Sequence, residues 1–508
     1  MDASLEVSTA EGVVRGRRSG DVNRWLGIPY ASPPVGRWRF RAPQPVQPWS
    51  GVRDGTTYGD AAVQHASGSR AGAFVIQPQS EDCLTINVTA PANSSGELRP
   101  VMVFIHGGGY FFGCSAMDMY HGNNLAARGD VVFVSLNYRL NAFGYIDFTP
   151  FATADGPIDS NLGVRDQVAA LQWVQRNIAA FGGDPDNVTI FGESAGGAAV
   201  TTLFATPAAD GLFHRGIAQS APVDWAHDAD TAADIARGCI AALGIRVGEA
   251  AETLRFAPPQ RLRRAVSEVA RGRLVNKPGE WTLAPVVDGD YLPSHPFDAF
   301  ADGTAHRVPL IIGRNRNEGS FFSKVLDAIP TTDAKLRRMF ATSDSVPLDS
   351  IAKHYTEYSP KRAAVCMGAD YTFLRPLVAT VEGHSRYAPT YTYRYDFAPR
   401  TLNLLGFGAT HTSEMIAVFG LDRSPAGWAL TALGGRKNLR AVTEQVQGHW
   451  INIAHHGEPL SSWPRYTATE RDTLVFDTHT RVVEDPERDR RLAWATYPRM
   501  YSPREGSE

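Results

Sequence analysis

The chain has 508 residues, of which 43% are hydrophobic and 20% are charged, and its formal net charge is −3. This composition is typical of a globular protein, and its arginine-bearing stretches lie among acidic and apolar residues, which excludes a nucleic-acid partner. No run of residues approaches the length of a membrane span, so no membrane partner is expected.

Two further features of the sequence bear on location and cofactors. The N-terminus carries acidic residues where a signal peptide would carry basic ones, so a cytoplasmic protein is expected. The four cysteines are widely scattered and are expected to be reduced thiols: Cys83, Cys114, Cys239 and Cys366. No cysteine or histidine spacing is typical of a metal site, so neither a metal nor a cofactor is expected.

Apolar runs along the chain predict the order of secondary structure. Residues 1–60 contain closely spaced alternating runs and turns, which predict an antiparallel edge of a sheet. Short β-branched runs then alternate with helical stretches, and they lie at residues 101–105, 131–136, 188–191, 309–313 and 390–395. This alternation predicts an α/β fold whose central sheet is mostly parallel and flanked by helices. Helical, charged segments at about 222–275 and 323–388 are expected to be insertions in one domain spanning 1–508.

A glycine-rich turn carries a candidate nucleophile. The sequence Phe-Gly-Glu-Ser-Ala-Gly-Gly at residues 191–197 follows a predicted strand and opens onto an apolar, helix-forming segment. A serine at such a strand-to-helix turn is typical of a nucleophile elbow, in which Gly192 and Gly196 leave room for the neighbouring strand and helix. Taken alone, the motif is also compatible with a glycine-rich helix start.

An activated serine also needs donors for a developing negative charge, a base and an orienting acid. His-Gly-Gly-Gly-Tyr at residues 106–110 follows a predicted strand, and its bare backbone can approach a substrate oxygen closely. Glu318 follows the strand at 309–313, and His411 follows the strand at 390–395. A lone glutamate in a loop is otherwise a surface residue, and His455 and His456 are expected on a helix surface.

The order serine, glutamate, histidine is that of the α/β-hydrolase fold. The chain resembles the type-B carboxylesterases, a large family with this fold, nearly from end to end. The resemblance is carried by Gly-Ile-Pro-Tyr-Ala at 27–31, Glu-Asp-Cys-Leu at 81–84, the glycine loop at 106–110, Asn-Tyr-Arg-Leu at 137–140, the segment 161–197, Pro-Val-Val-Asp-Gly at 285–289, Asn-Glu-Gly at 317–319 and the segment 411–420.

The resemblance implies roles for individual residues. Ser194 would be the nucleophile, Glu318 the orienting acid and His411 the general base. The oxyanion would be held by three backbone N–H groups, those of Gly108, Gly109 and Ala195. The resemblance also implies an ion pair between Arg39 and Glu81, and a hydrogen bond from Ser220 that supports the triad. Glu193 either influences cationic substrates or fills the variable position of the elbow.

Two differences from the family bear on disulfide formation and on substrate selectivity. In secreted relatives the cysteine that corresponds to Cys83 forms a disulfide with a cysteine about twenty residues upstream. In this chain residues 59–65 contain no cysteine, so that disulfide is not expected. The following loop, which reads Phe-Val-Ile-Gln-Pro at 74–78, lacks the tryptophan that cholinesterases place under a quaternary ammonium. Without that cation–π platform, selectivity for acetylcholine is not expected.

The predicted function is hydrolysis of small-molecule carboxylic esters through an acyl-enzyme intermediate, by a chain for which a monomer is favoured. The sequence leaves open a related amide, carbamate or thioester hydrolase, a synthetic acyltransferase, and a non-catalytic cholinesterase-like binding protein. A set of aromatic residues near the motifs either lines the substrate pocket or belongs to the core: Tyr110, Phe111, Phe112, Trp281, Phe321 and Phe322.

Overall fold

The computed structural model describes residues 5–66, 77–93, 96–341 and 346–497. Residues 74–76 of the loop without the tryptophan, and the polar C-terminal tail, lie outside these ranges. The described strands are β1 (Glu6–Ser8), β2 (Val13–Arg15), β3 (Arg17–Ser19), β4 (Val22–Pro29), β5 (Val52–Asp54), β6 (Thr85–Pro91), β7 (Arg99–Ile105), β8 (Val132–Leu136), β9 (Gly183–Glu193), β10 (Arg215–Gln219), β11 (Leu310–Asn315), β12 (Thr390–Tyr395), β13 (Asp472–Phe476) and β14 (Arg481–Glu484).

The helices of the described ranges surround these strands. They are α1 (Asn123–Gly129), α2 (Ala142–Tyr145), α3 (Leu162–Asn177), α4 (Ala195–Phe204), α5 (Ala229–Ala242), α6 (Ala250–Phe256), α7 (Pro259–Asn276), α8 (Pro296–Asp302), α9 (Gly319–Lys324), α10 (Asp333–Ala341), α11 (Leu348–Ala352), α12 (Pro360–Ala369), α13 (Arg375–His384), α14 (Arg400–Leu404), α15 (Met415–Val418), α16 (Pro425–Leu430), α17 (Arg436–His456) and α18 (Arg488–Trp494). A π-helical turn, Asp370–Leu374, joins α12 to α13.

An eleven-stranded sheet forms the centre of the molecule, in the spatial order β14-β13-β12-β11-β10-β9-β7-β8-β6-β4-β3. The seven strands from β13 to β8 in this order are parallel. Strands β7 and β8 are mostly apolar in sequence and buried along their whole length, as expected for strands of a sheet covered on both faces. The predicted α/β architecture with a mostly parallel sheet is confirmed.

The N-terminal part of the chain forms the predicted antiparallel edge and a second small sheet. Strands β3, β4 and β6 pair antiparallel at one end of the central sheet. Strands β1, β2 and β5 instead form a separate three-stranded sheet, in which β2 and β5 are parallel. Short alternating runs predict strands but do not specify which strand each one pairs with, so the sequence did not reveal this second sheet.

Two groups of helices connect neighbouring strands of the central sheet. Helices α5 to α7 lie between β10 and β11, and α9 to α13 lie between β11 and β12. Both groups therefore connect neighbouring parallel strands of one sheet. In the part of the chain that the structure describes, no helix combines the length and the apolar character needed to cross a bilayer.

A buried cluster of charges anchors α18 against the central sheet. Glu487, just before α18, accepts hydrogen bonds from Arg314 on β11 and from Arg490. Asp370, in the π-helical turn, lies 3.1 Å from Arg490. Burial raises the pKa of Glu487, but the guanidinium groups of Arg314, Arg490 and Arg394 lower it by more, to about 2. The cluster is thus held together by an ionised carboxylate among arginines.

Replacement of this carboxylate tests the anchor. Glu487→Gln leaves the buried Arg314 without its closest counter-charge, so we expect a loss of about 3 kcal/mol in the free energy of unfolding at pH 7. Because the folded-state pKa of Glu487 lies below its ordinary value of 4.5, its stabilising effect is complete above pH 4.5 and disappears as the pH falls towards 2. The difference between variant and wild type, measured by urea unfolding, should shrink over this range.

Asp333→Asn, which breaks an exposed ion pair with Arg337, is the matched control and should leave the unfolding midpoint unchanged. An unfolding midpoint of Glu487→Gln equal to that of the wild type at pH 7 would contradict the role of the cluster.

Candidate active site

Ser194 occupies a sharp turn between β9 and α4. Its φ of +59° lies in the left-handed region, which costs a non-glycine residue conformational energy. Gly192 and Gly196 make this turn possible, because a Cβ at Gly192 would lie 2.5 Å from the carbonyl carbon of Gly196 and a Cβ at Gly196 would collide with the carbonyl oxygen of Ile105. The turn therefore has the geometry that the glycine pattern predicts.

The structure brings Ser194, His411 and Glu318 into one hydrogen-bonded line. The hydroxyl of Ser194 donates to His411 Nε2 over 3.0 Å. His411 Nδ1 donates to Glu318 Oε2 over 2.6 Å, and in the neutral imidazole this carboxylate selects the tautomer whose Nε2 accepts from Ser194. Residues separated by 217 and 93 positions in the chain thus meet at one point.

Parallel strands explain why these side chains meet. Ser194 follows β9, Ser220 follows β10, Glu318 lies just beyond β11, and His411 lies in the connection that follows β12. The four strands are consecutive neighbours in the sheet and run in the same direction. Their carboxyl ends consequently lie along one edge, where open α/β sheets hold their ligands.

The carboxylate of Glu318 is fully buried and held by two further donors. Ser220 Oγ donates to Oε1 over 2.6 Å, as the resemblance implies, and the backbone N–H of Asn315 donates to the same oxygen over 2.6 Å. The Asn315 side chain in turn donates to Glu414. Reasoning from sequence did not identify Asn315 or Glu414 as part of the site. The sequence signals were weak: Asn315 is a polar residue at the end of an apolar strand, and Glu414 is an acidic residue three positions after His411.

Three buried carboxylates surround the imidazole of His411. Glu193 Oε1 lies 3.3 Å from His411 Nε2, and the Glu193 side chain is 2% exposed. Glu193 therefore contacts the imidazole in addition to occupying the variable position of the elbow. It does not point into solvent, where a cationic substrate would first be met.

Burial and mutual repulsion set the protonation of this cluster. Burial, followed by the nearby Glu414 and Glu318, raises the pKa of Glu193 to about 8, and burial together with Glu318 raises that of Glu414 to about 7. Burial lowers the pKa of His411, but Glu193, Glu318 and Glu414 raise it by more, to about 9. Since like charges this close resist ionising together, the cluster shares fewer than three negative charges at neutral pH.

The glycine loop at residues 106–110 lies directly against Ser194. A Cβ at Gly107 would come within 3.1 Å of the Ser194 Cβ. Among the described residues, no acceptor bonds the backbone N–H groups of Gly108, Gly109 or Ala195. His106 is buried and stacks on the Tyr138 ring at 4.6 Å, which agrees with its expected structural part in the loop.

The aromatic residues near the motifs have different neighbours. Tyr110 is fully buried and stacks on Tyr145 at 3.9 Å, so it belongs to the core. Phe322 lies 4.9 Å and Phe321 6.1 Å from the His411 ring. Phe373, from the π-helical turn, lies 5.0 Å from the same ring and was not identified from the sequence, because nothing local relates it to His411.

An ion pair and a free cysteine lie at the positions that the sequence indicated. Arg39 Nε donates to Glu81 over 2.7 Å, and Arg39 Nη1 also donates to the carbonyl of Ala257 over 2.8 Å, so this ion pair ties an N-terminal loop to the end of α6. Cys83 is buried as a free thiol. In the described ranges, no group of three or more histidine, cysteine, aspartate or glutamate side chains is arranged to hold a metal ion.

Two esterases are similar to this chain in sequence along most of their length. The chain is 36% identical over 495 residues to a para-nitrobenzyl esterase of Bacillus subtilis, and the aligned region covers 96% of this chain and 97% of the relative. It is 35% identical over 490 residues to a cocaine esterase of Oryctolagus cuniculus, which covers 90% of this chain and 88% of the relative.

Solved structures give the same result. A thermophilic para-nitrobenzyl esterase superposes with a TM-score of 0.85 at 35% identity, covering 97% of this chain and all of that one. A carboxylesterase of Geobacillus stearothermophilus superposes with a TM-score of 0.83 at 33% identity, covering 96% of this chain and all of that one. These matches confirm the predicted α/β-hydrolase fold.

The model of one protein family covers nearly the whole chain. It is the model of the carboxylesterase family, and it matches residues 3–494. Together with relatives above 30% identity along most of the sequence, this match confirms the resemblance drawn from the motifs. The chain belongs to the carboxylesterase family.

Proposed function

We propose that the protein hydrolyses carboxylic esters with Ser194 as nucleophile, His411 as general base and Glu318 as the acid that orients it. The observation that carries this proposal is the position of His411, whose two ring nitrogens bond Ser194 at 3.0 Å and Glu318 at 2.6 Å. These distances fit proton transfer from the hydroxyl to Nε2 during attack.

In the first half of the reaction, Ser194 Oγ attacks the ester carbonyl carbon while His411 Nε2 takes the hydroxyl proton. The carbonyl electrons move to the oxygen, which the N–H groups of Gly108, Gly109 and Ala195 stabilise. That these groups have no acceptor among the described residues supports this role. The tetrahedral intermediate then collapses, and His411 protonates the departing alcohol.

Water completes the reaction by the same steps. His411 takes a proton from water as its oxygen attacks the acyl-enzyme carbonyl, and then returns that proton to Ser194 Oγ as the carboxylic acid leaves. Glu318 stabilises the imidazolium that forms in each half-reaction. Its two additional donors, Ser220 Oγ and Asn315 N, keep the carboxylate in place for this purpose.

The surroundings of His411 favour a substrate with apolar groups. The rings of Phe321, Phe322 and Phe373 lie beside the imidazole, and Phe321 is partly exposed, so the surroundings of the base are apolar. We therefore propose uncharged esters with apolar acyl or alcohol groups as the substrate class.

The organisation of the chain also enters the proposal. Since the proposed catalytic groups come from strands of one sheet, we propose that residues 1–508 form one domain in which the helical segments at about 222–275 and 323–388 are insertions. A cytoplasmic location and a monomeric state stay predictions from the sequence.

Loss of the nucleophile is the direct test of this function. We expect Ser194→Ala to reduce turnover of p-nitrophenyl butyrate to about 10⁻⁴ of the wild-type rate or less, because the variant lacks the hydroxyl that forms the acyl-enzyme. The measurement is the initial rate of p-nitrophenolate release across acyl lengths, with matched anilides to compare ester and amide cleavage. Ser359→Ala, at an exposed helix start where the serine side chain caps no N–H, is the control. Turnover retained by Ser194→Ala would reject the assignment.

The other two members of the line should differ in importance. His411→Ala removes the base, and we expect a loss of about 10⁵-fold in kcat, whereas Glu318→Gln keeps a hydrogen-bonding partner for the imidazole and should lose about 10³-fold. Steady-state kcat with p-nitrophenyl butyrate measures both. A Glu318→Gln variant as active as the wild type would contradict the orienting role of this carboxylate.

The pH profile tests the influence of Glu193. Its carboxylate raises the pKa of His411, and His411 must be neutral to act as base, so activity disappears as the pH falls through that pKa. Glu193→Gln should therefore lower the pKa of His411 and move the acid limb of the kcat/KM profile to lower pH. Glu414→Gln, which removes a weaker contribution to the same pKa, should move it less. An acid limb that stays in place or moves upward in Glu193→Gln would show that Glu193 does not control the base.

A further inference from the structure

The indole of Trp281 lies against the glycine loop that faces Ser194. Its Nε1–H donates to the carbonyl oxygen of Gly109 over 3.0 Å, across 172 residues of sequence. The ring also packs directly on the Gly109 backbone, because a Cβ at Gly109 would lie 2.5 Å from Trp281 Cζ2. Trp281 thus contacts the loop both by a hydrogen bond and by packing.

The loop that Trp281 contacts has an unusual run of backbone angles. Gly108, Gly109 and Tyr110 have φ values of +109°, +62° and +62°, so three consecutive residues lie in the left-handed region. Glycine adopts such angles freely, whereas Tyr110 keeps its angle only because its surroundings hold it there. Because the N–H groups of Gly108 and Gly109 turn with these angles, whatever restrains the backbone also aims the two donors.

Each carbonyl of this run is restrained by a hydrogen bond. The Gly108 carbonyl accepts from the backbone N–H of Phe111 over 3.0 Å, and the Tyr110 carbonyl accepts from the backbone N–H of Asn141 over 3.0 Å. Between them, the Gly109 carbonyl accepts from the Trp281 side chain. The middle peptide of the run is therefore the one whose restraint depends on the identity of a side chain.

Trp281 is itself held firmly. Its ring stacks on Trp225 with centroids 4.2 Å apart and planes inclined by 2°. Its backbone carbonyl bonds His227 Nε2 over 2.8 Å, and Phe111 packs edge-on against the ring at 5.6 Å. A donor fixed in this way keeps its direction while the substrate reacts, which is the condition for preorganised stabilisation of charge.

We propose that Trp281 is a positioning residue for the oxyanion hole. Its indole N–H holds the carbonyl of the Gly109–Tyr110 peptide and its ring packs on Gly109, which together restrain the backbone angles of Gly109 and so the direction of the neighbouring N–H groups of Gly108 and Gly109. This inference rests on the proposed function and adds a determinant of its rate. The competing role is that of a wall of the substrate pocket. Loss of a pocket wall would change KM by an amount that depends on substrate size. Loss of a positioning residue would instead destabilise the tetrahedral species, and so lower kcat, for every substrate.

The experiment removes the N–H and retains the ring. Trp281 is replaced by 3-benzothienylalanine, in which sulfur stands for the N–H, and in parallel by phenylalanine (Trp281→Phe). The readouts are kcat and KM for p-nitrophenyl acetate, butyrate and octanoate, and the inhibition constant of an alkyl trifluoromethyl ketone, which adds to the serine hydroxyl and places an oxyanion in the hole. Trp225→Phe is the matched control, since it alters the same stack without removing the bond to Gly109.

We expect the benzothienyl variant to lose about 10-fold in kcat with all three esters, a fraction of the effect of deleting a whole donor. KM should change less than about 2-fold, and affinity for the trifluoromethyl ketone should fall by the same factor as kcat. Trp225→Phe should keep most of the ketone affinity. Thermal unfolding of each variant reports its folding, and if Trp281→Phe does not fold, the benzothienyl variant alone decides.

Unchanged kcat and ketone affinity in the benzothienyl variant would overturn the proposal, as would a loss that grows with acyl length and appears in KM. These results differ from a failure of the proposed function, in which Ser194→Ala would remain active. An inactive Ser194→Ala together with a fully active benzothienyl variant rejects the role of Trp281 and leaves the esterase assignment in place.

Discussion

The parallel pairing of neighbouring strands is the constraint on which the rest of this structure depends. Strands β7, β9, β10, β11 and β12 lie side by side and point the same way, so the residues that follow them arrive at one edge. The glycine loop, Ser194, Ser220, Glu318 and His411 each extend from one of these strand ends or from the connection beyond it. A register shift between any two of these strands would move one group away from its partner by a residue length, which exceeds the tolerance of a hydrogen bond.

Around this edge the molecule keeps polar groups buried at considerable cost. Glu193, Glu318 and Glu414 are each almost inaccessible to solvent, and the backbone of Ser194, Ser220 and Thr412 is left-handed. Neither arrangement favours folding, so the surrounding apolar core must offset both. Their concentration at one edge is typical of a reactive site. Where water is excluded and the surrounding dipoles are fixed, a proton transfer changes the electrostatic energy more than it would in water.

How far the sequence predicted this structure depends on whether the signal was local. Strand β12 was predicted to the residue, and the turn at Ser194 followed from its glycines, since both depend on adjacent positions. The order of motifs and the family resemblance then indicated Glu318 and His411. The roles of Glu414 and Phe373 could not be predicted, because each depends on packing between segments that are distant in sequence. The separate sheet of β1, β2 and β5 escaped prediction for the same reason.

The π-helical turn between α12 and α13 contacts both the buried charge cluster and the base of the proposed site. In an ordinary α-helix, residues three apart lie on one face. The wider turn spreads Asp370 and Phe373 around the axis, so that one meets the arginines near the C-terminus and the other meets the imidazole of His411. Deletion of a single residue here would restore α-helical winding and misplace one of the two. Such a deletion would therefore disturb either the anchoring of α18 or the apolar surroundings of the base.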